Sequence, residues 1–116
     1  MARNDTNEPR NRPRESELET TVSLLQRYRA GDLRARDRLI ERYRPILSRW
    51  VLSCPPRVRH DAAVSGRDLV QETFVRALKN LDELELRREG AFLAWLRTIF
   101  LTLVRQLWRD SERRPE

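Results

Sequence analysis

From Leu18 onward, apolar positions recur at three- and four-residue steps, whereas residues 1–17 carry almost no apolar side chains. That spacing predicts helices. Val22, Leu25 and Tyr28 share one face of the first, with Leu24 adjoining, and Gly31 ends it. Asp32 is placed to cap a second helix, along which Leu33, Leu39, Ile40, Tyr43, Ile46, Leu47, Trp50 and Val51 recur while Arg side chains fill the gaps. Pro45 falls inside this pattern. It is expected to kink or interrupt the helix, because it removes a backbone donor and crowds the preceding turn. Cys54-Pro55-Pro56 stops the pattern, and residues 55–64 read as a loop carrying Arg57, Arg59 and His60.

Ser65 followed three residues later by Asp68 resembles a capping box. The helix it opens is predicted over 66–81, with Leu69, Val70, Phe74, Ala77, Leu78 and Leu81 turned inward and Asp68, Gln71, Glu72 and Arg76 on the other face. A charged loop over 82–90 ends at Gly90. The last helix, predicted over 91–110, is the most apolar: Phe92, Trp95, Leu96, Ile99, Phe100, Leu103, Val104 and Leu107 cover more than half its circumference. The chain has no strand-like alternation, no Gly-rich phosphate loop and no internal repeat. The expected fold is therefore all-α, a compact bundle of about four helices over residues 18–112. Residues 1–17, with Pro9 and Pro13, cannot bury enough surface to offset ordering entropy and are expected to be a disordered tail. Residues 113–116 are expected to be the start of a linker or a free C-terminus, and Pro115 suits the former.

Composition narrows the function classes. The 116 residues include one Cys and one His, which excludes an intramolecular disulfide framework and a His-rich metal centre. The uncharged stretch from Thr98 to Val104 falls far short of the roughly 20 apolar residues of a membrane span. The N-terminus lacks the apolar core of a secretory signal. A small, soluble, cytoplasmic protein with no membrane role is expected. The net charge of +6 is unevenly distributed: −1 over residues 1–20, +7 over 21–60, −2 over 61–94 and +2 over 95–116. Alternating blocks of this kind suit a chain that touches both nucleic acid and a protein partner.

The residues offer little for catalysis. Asp68 and Glu72 stand one turn apart, but Arg76 follows one turn on, so the row reads as surface ion pairing. No nucleophile, oxyanion donor, metal site or cofactor site accompanies it, and an enzyme is not expected. Cys54 reads as a small buried or half-buried filler, and His60 as solvated or at most a phosphate contact. On the last helix Arg97, Thr98, Thr102, Arg105, Gln106 and Arg109 fall along one narrow side, flanked by Trp95 and Trp108. Arg for phosphates and aromatics for unstacked bases are what single-stranded or distorted DNA requires. For Trp95, amid Phe92, Leu96 and Ile99, core packing is the better reading.

These residues also carry a family likeness. DLVQETFVRA at 68–77, LDEL at 81–84 and FLAWLRTI at 92–99 resemble, in order and spacing, the second conserved region of bacterial RNA polymerase sigma factors, particularly the extracytoplasmic-function group. LLQRYRAGDLRARDRLIERYRPIL at 24–47 is similar to that region's opening helices. The resemblance implies a core-binding and promoter-melting domain. On it, Asp68, Leu69, Gln71, Glu72, Val75 and Arg76 would dock on a coiled coil of the largest subunit of core RNA polymerase. Arg87, Arg88, Arg97, Thr98, Thr102, Arg105 and Arg109 would contact promoter DNA, especially the melted non-template strand, from which a base is captured. No cofactor is implied. An anti-sigma factor is a further implied partner. Where the family often has an Arg-Asn pair, this chain has Leu101-Thr102, which removes one polar contact to the strand. The family also continues into a helix-turn-helix domain, so the chain is expected to be either a fragment or a short form. The alternative function is a module of the same fold that binds polymerase or an anti-sigma partner without opening promoters.

Overall fold

The computed structural model describes residues 19–61, 64–83 and 90–113. It contains α1 (Thr21–Arg29), α2 (Leu33–Leu52), α3 (Pro56–Arg59), α4 (Gly66–Lys79) and α5 (Ala91–Arg113), with a 3-10 turn at Leu81–Glu83 before α5. Among the described residues there is no strand, and the fold is all-α as expected. The tail expected over 1–17 lies outside the described residues, as does most of the charged loop. Among the described residues no helix is long and apolar enough to cross a membrane.

The Thr20 side chain caps α1 by accepting from the Ser23 N–H at 2.9 Å. The buried face of α1 is Thr21, Leu24 and Leu25, with Val22 only partly buried. Thr21 takes the inward place expected for Val22 because its hydroxyl meets the Tyr43 hydroxyl of α2 at 2.5 Å. A buried hydroxyl with a partner avoids the desolvation cost an unpaired one would incur. The α1–α2 corner turns at Gly31, whose φ of +104° lies in the left-handed region that favours glycine. Asp32 closes the corner in two ways. Its Oδ1 accepts from the Arg34 N–H at 3.0 Å, and its Oδ2 accepts from Arg27 at 2.8 and 3.0 Å. The Arg27 hydrogen bond holds the Asp32 carboxyl below its ordinary range, against a smaller opposing effect of desolvation. Glu19 pairs with both Arg27 and Arg38, tying the start of α1 to α2.

Along α2 the buried residues are Ala35, Leu39, Tyr43, Leu47 and Val51, a single row at four-residue steps. Pro45 does not interrupt it; the helix runs unbroken from Leu33 to Leu52. Pro45 and Glu41, the residue whose carbonyl loses its donor, are both exposed, so water can serve that carbonyl. Burial of Tyr43, Leu47 and Val51, at about 1.5–3 kcal/mol each, outweighs a proline cost of about 3 kcal/mol. The segment expected to be loop over 55–64 contains α3. Pro56 occupies its first turn, where the missing N–H costs nothing, and Val58, 2% exposed, anchors it.

At the start of α4, the Asp68 N–H donates to Ser65 Oγ at 3.1 Å and the Ser65 N–H to Asp68 Oδ2 at 3.3 Å. This is the capping box expected from the sequence. The helix ends at Lys79, and Leu81 is buried from the 3-10 turn rather than from the helix. Helix α5 runs three residues beyond the expected end, to Arg113, and buries Phe92, Leu96, Phe100 and Leu103. Two ring pairs join α2 to α5: Tyr43 with Phe92, centroids 5.3 Å apart edge-on, and Trp50 with Phe100 at 5.4 Å. Helix α2 thus packs on α1 and α4, and α5 packs on α4 and α3, around one shared core.

Candidate functional site

Of the six residues expected on the docking face of α4, five are exposed: Asp68, Gln71, Glu72, Val75 and Arg76. Leu69 is 3% exposed and belongs to the core, so its part in any docking face is to hold the helix, not to touch a partner. The two carboxylates are partly engaged. Asp68 is half of the capping box, and Glu72 Oε2 accepts from Arg76 Nε at 2.9 Å, the surface ion pair read from their spacing. Val75 is 50% exposed, large for an apolar side chain at the middle of a helix face.

Beside this face lies a groove of about 1160 Å³ between α2 and α4, with Tyr28 of α1 contributing to its wall. Two rows at four-residue steps line it, Arg36, Ile40, Arg44 and Ser48 from α2 and Arg67, Gln71, Val75 and Lys79 from α4. Val70, Phe74 and Leu78 supply apolar wall, and Asp37 is the lone acid among the lining residues. Arg36, Arg44, Arg67 and Lys79 make the rim basic, a feature that the DLVQE motif read alone does not convey. The signal was present in the sequence as the repeat of cations at 36, 44, 67 and 79, but pairing the two rows requires the packing of α2 against α4.

On α5, Arg97, Thr98, Thr102, Arg105 and Arg109 are all exposed. Arg97, Arg105 and Arg109 form no ion pair among the described residues. Thr98 Oγ1 donates to the Ala94 carbonyl at 3.1 Å and Thr102 Oγ1 to the Thr98 carbonyl at 2.9 Å. Both hydroxyl protons are thus used within the helix, and only the oxygens face outward as acceptors. Among the described residues the strip therefore offers three guanidinium groups free of ion pairs, with the exposed Gln106 amide beside them. Arg87 and Arg88, the remaining expected DNA contacts, lie outside the described residues.

The two flanking tryptophans differ. Trp95 is partly buried, and its Nε1 donates to the Ala77 carbonyl of α4 at 3.2 Å, so it joins two helices. Trp108 is 37% exposed and carries the Arg57 guanidinium 4.6 Å over its ring, a contact the sequence does not announce because it joins residues from α3 and α5. Leu101, which stands in place of a polar residue in the family pattern, is partly buried against the core. Cys54 is buried, its Sγ near the Trp50 carbonyl at 3.6 Å, and burial pushes its thiol pKa up while Arg59 pulls it slightly down. Among the described residues no three His, Cys, Asp or Glu side chains stand where they could hold a metal ion.

What this arrangement can do is bind. One helix presents a mixed polar face beside a basic, apolar-walled groove, and another presents an open basic strip. The sequence is similar to those of known proteins. The model of the family described as Sigma-70 region 2 matches residues 39–114. The "ECF RNA polymerase sigma-E factor" of Haemophilus influenzae is 30% identical over 100 residues, covering 83% of this chain and 47% of that protein. The chain thus spans about half the length of the curated relative it matches. No solved structure matches. The matched span takes in the buried row of α2 from Leu39 onward, the capped α4 and the whole of α5, and the chain belongs to the sigma-70 region 2 family.

Proposed function

We propose that this chain works in transcription initiation, binding core RNA polymerase through the exposed face of α4 and contacting promoter DNA as it opens through the basic strip of α5. The observation that carries the reading is the groove whose walls are the two four-residue rows of α2 and α4. A groove between two helices, apolar along its wall and charged at its rim, suits a helix of a partner protein. Gln71 and Val75 belong to both the groove and the expected docking face, so a partner helix seated there meets the edge of that face. The surface is mixed in sign, with Asp68 and Glu72 on one side and four cations on the rim. That gives orientation as well as attraction to a partner whose charges alternate.

The second half of the reading rests on α5. Three free Arg side chains along one strip supply phosphate contacts, and binding that favours exposed bases shifts an opening equilibrium toward the melted state. The chain makes and breaks no bond in this scheme. A second reading, a polymerase- or anti-sigma-binding module that does not open promoters, is favoured by Leu101, which is drawn toward the core and offers no polar group to a melted strand.

One experiment addresses both. The chain is immobilised and mixed with purified core polymerase, then with a promoter carrying a fluorescent base analogue in its upstream melting element. Retention of polymerase that is lost in Glu72→Arg supports docking through α4; no retention by the parent chain, or retention unchanged in Glu72→Arg, refutes it. A rise in analogue fluorescence with polymerase present supports opening, and its absence with polymerase retained favours the second reading.

A further inference from the structure

We propose that Arg57 and Trp108 form a nucleic-acid phosphate clamp that carries the basic strip of α5 onto α3. The inference rests on the nucleic-acid half of the function proposed above and adds a binding element from a different helix.

Helix α3 has only four residues, yet it is held firmly. Val58 is 2% exposed against the core, and Arg59 Nη1 donates to the Leu52 carbonyl at the end of α2 at 3.2 Å. From this fixed base Arg57 reaches over α5. Its guanidinium carbon lies 4.6 Å from the centre of the Trp108 ring, a cation–π distance. Its Nη1 stands 3.6 Å from Glu112 Oε2, an ion pair too long to be a hydrogen bond. The group is therefore located on two sides, and among the described residues its N–H donors make no hydrogen bond. Its side chain is 48% exposed, so those donors are open to solvent.

A guanidinium held over an indole, with no hydrogen bond spent among the described residues, can offer its fork to a bidentate acceptor, and phosphate is the matching one. The location favours the same ligand. Trp108 comes eleven residues after Arg97, close to three whole turns at about 3.6 residues per turn, and so lies on the same side of α5. Arg105 is one turn before Trp108 and Arg109 is its neighbour, and both are exposed. Arg57, Arg105, Arg109 and Arg113 outnumber the two acids at this end of the helix, Asp110 and Glu112, which leaves it positive. A backbone crossing Arg97 and Arg105 therefore meets Arg57 next. The competing view is that Arg57 is only a strap holding α3 to α5. A strap contributes stability but no phosphate contact, so the two views differ in salt dependence.

The test uses the full 116-residue chain and two fluorescein-labelled probes of one arbitrary sequence, a single strand and a duplex of about 20 positions, long enough for several phosphate contacts. Dissociation constants are measured by anisotropy over a series of KCl concentrations, with thermal melts alongside. In Arg57→Gln, affinity falls several-fold on at least one probe, and the slope of log K against log salt becomes shallower by about 0.9 on duplex or about 0.7 on single strand. The probe that shows the change identifies which form of nucleic acid the clamp holds. Trp108→Ala gives the same loss, and the double variant no more, because the indole acts through Arg57. Arg57 is exposed, so Arg57→Gln decides the matter even if Trp108→Ala folds poorly. A slope unchanged in Arg57→Gln on both probes but shallower in Arg105→Gln overturns the clamp and leaves the strip intact, whatever the melting temperature does. A slope unchanged in both variants refutes nucleic-acid binding by the strip itself, and the clamp with it.

Discussion

Replacing Gly66 with Ala tests how tightly α4 is seated on α2. Gly66 is the first residue of α4, and a Cβ built on it falls 2.8 Å from Val51 Cγ1. Ordinary carbon contacts lie at about 3.5–4.0 Å, so the overlap is about 0.7 Å or more. Gly66 does not have a positive φ, and the added methyl therefore meets a steric problem, not a backbone one. Relief is limited on both sides. Val51 is 8% exposed in the buried row of α2 and, being β-branched, has one strongly preferred rotamer in a helix. The first turn of α4 is pinned by the Ser65–Asp68 box. Overpacking of this kind costs about 1–3 kcal/mol, while Gly→Ala at a compatible backbone returns about 0.4–1 kcal/mol through the unfolded state. The expected net loss is about 0.5–2 kcal/mol, several degrees in melting temperature for a domain of this size. Val51→Ala alone removes two methyl-sized groups and leaves a cavity, at about 1.5–3 kcal/mol. In the double variant the methyl introduced by Gly66→Ala moves into that space, so the losses do not add and the coupling is favourable by about 0.5 kcal/mol or more. Urea unfolding followed by far-ultraviolet ellipticity on the four members of the cycle measures this. A Gly66→Ala variant as stable as the parent, or two losses that simply add, would refute the close approach of Val51.

Two further perturbations address the caps. Ser65→Ala removes the acceptor for the Asp68 N–H and is expected to cost about 1 kcal/mol, read as a lower urea midpoint with unchanged slope. Asp32→Asn retains a capping side chain but loses the charge facing Arg27. Because Arg27 holds the folded Asp32 carboxyl below its unfolded value of about 3.9, the parent has an added stability above that value which is lost as pH falls through the folded pKa. The urea midpoint of the parent therefore drops more steeply than that of Asp32→Asn below about pH 5, and parallel curves would contradict the assignment.

Much of this fold is written in local pattern. Asp32, Ser65 and Gly31 announce their roles because caps and left-handed turns depend on a few adjacent atoms. The row Ala35, Leu39, Tyr43, Leu47 and Val51 is legible for the same reason, since one helix sets its period. What the pattern hides are competitions decided at a distance. Pro45 reads as a breaker until the buried residues on both sides of it are weighed against one missing hydrogen bond. Thr21 reads as polar until Tyr43 supplies its partner, and Pro55-Pro56 reads as loop until Val58 finds the core. The candidate surfaces follow the same division. The exposed positions of α4 can be assigned from periodicity, except that Leu69 is inward by its spacing and outward by the family likeness, and burial settles it inward. The basic rim and the Arg57–Trp108 contact cannot, because each needs two helices placed side by side.

On the proposed function, the junction between α4 and α5 decides how docking and DNA contact are related. A net charge of +6 provides few phosphate contacts, so the isolated strip binds DNA weakly and loses that binding quickly with salt. Docking through α4 removes the need for high intrinsic affinity, because a tethered strip meets promoter DNA at a high effective concentration. That gain depends on geometry, since a strip held on a loose joint would sample many unproductive orientations. The junction is stiff for identifiable reasons. Phe74, Ala77 and Leu78 of α4 and Phe92 and Leu96 of α5 are buried in one core, and the Trp95 Nε1 bond to the Ala77 carbonyl fixes the rotation of one helix against the other. A partly buried hydrogen-bond donor of this kind cannot slide by a turn without losing its partner, at a net cost of about 0.5–1.5 kcal/mol. Whatever holds the exposed face of α4 therefore also sets the direction of Arg97, Arg105 and Arg109, with no conformational signal needed to pass between them.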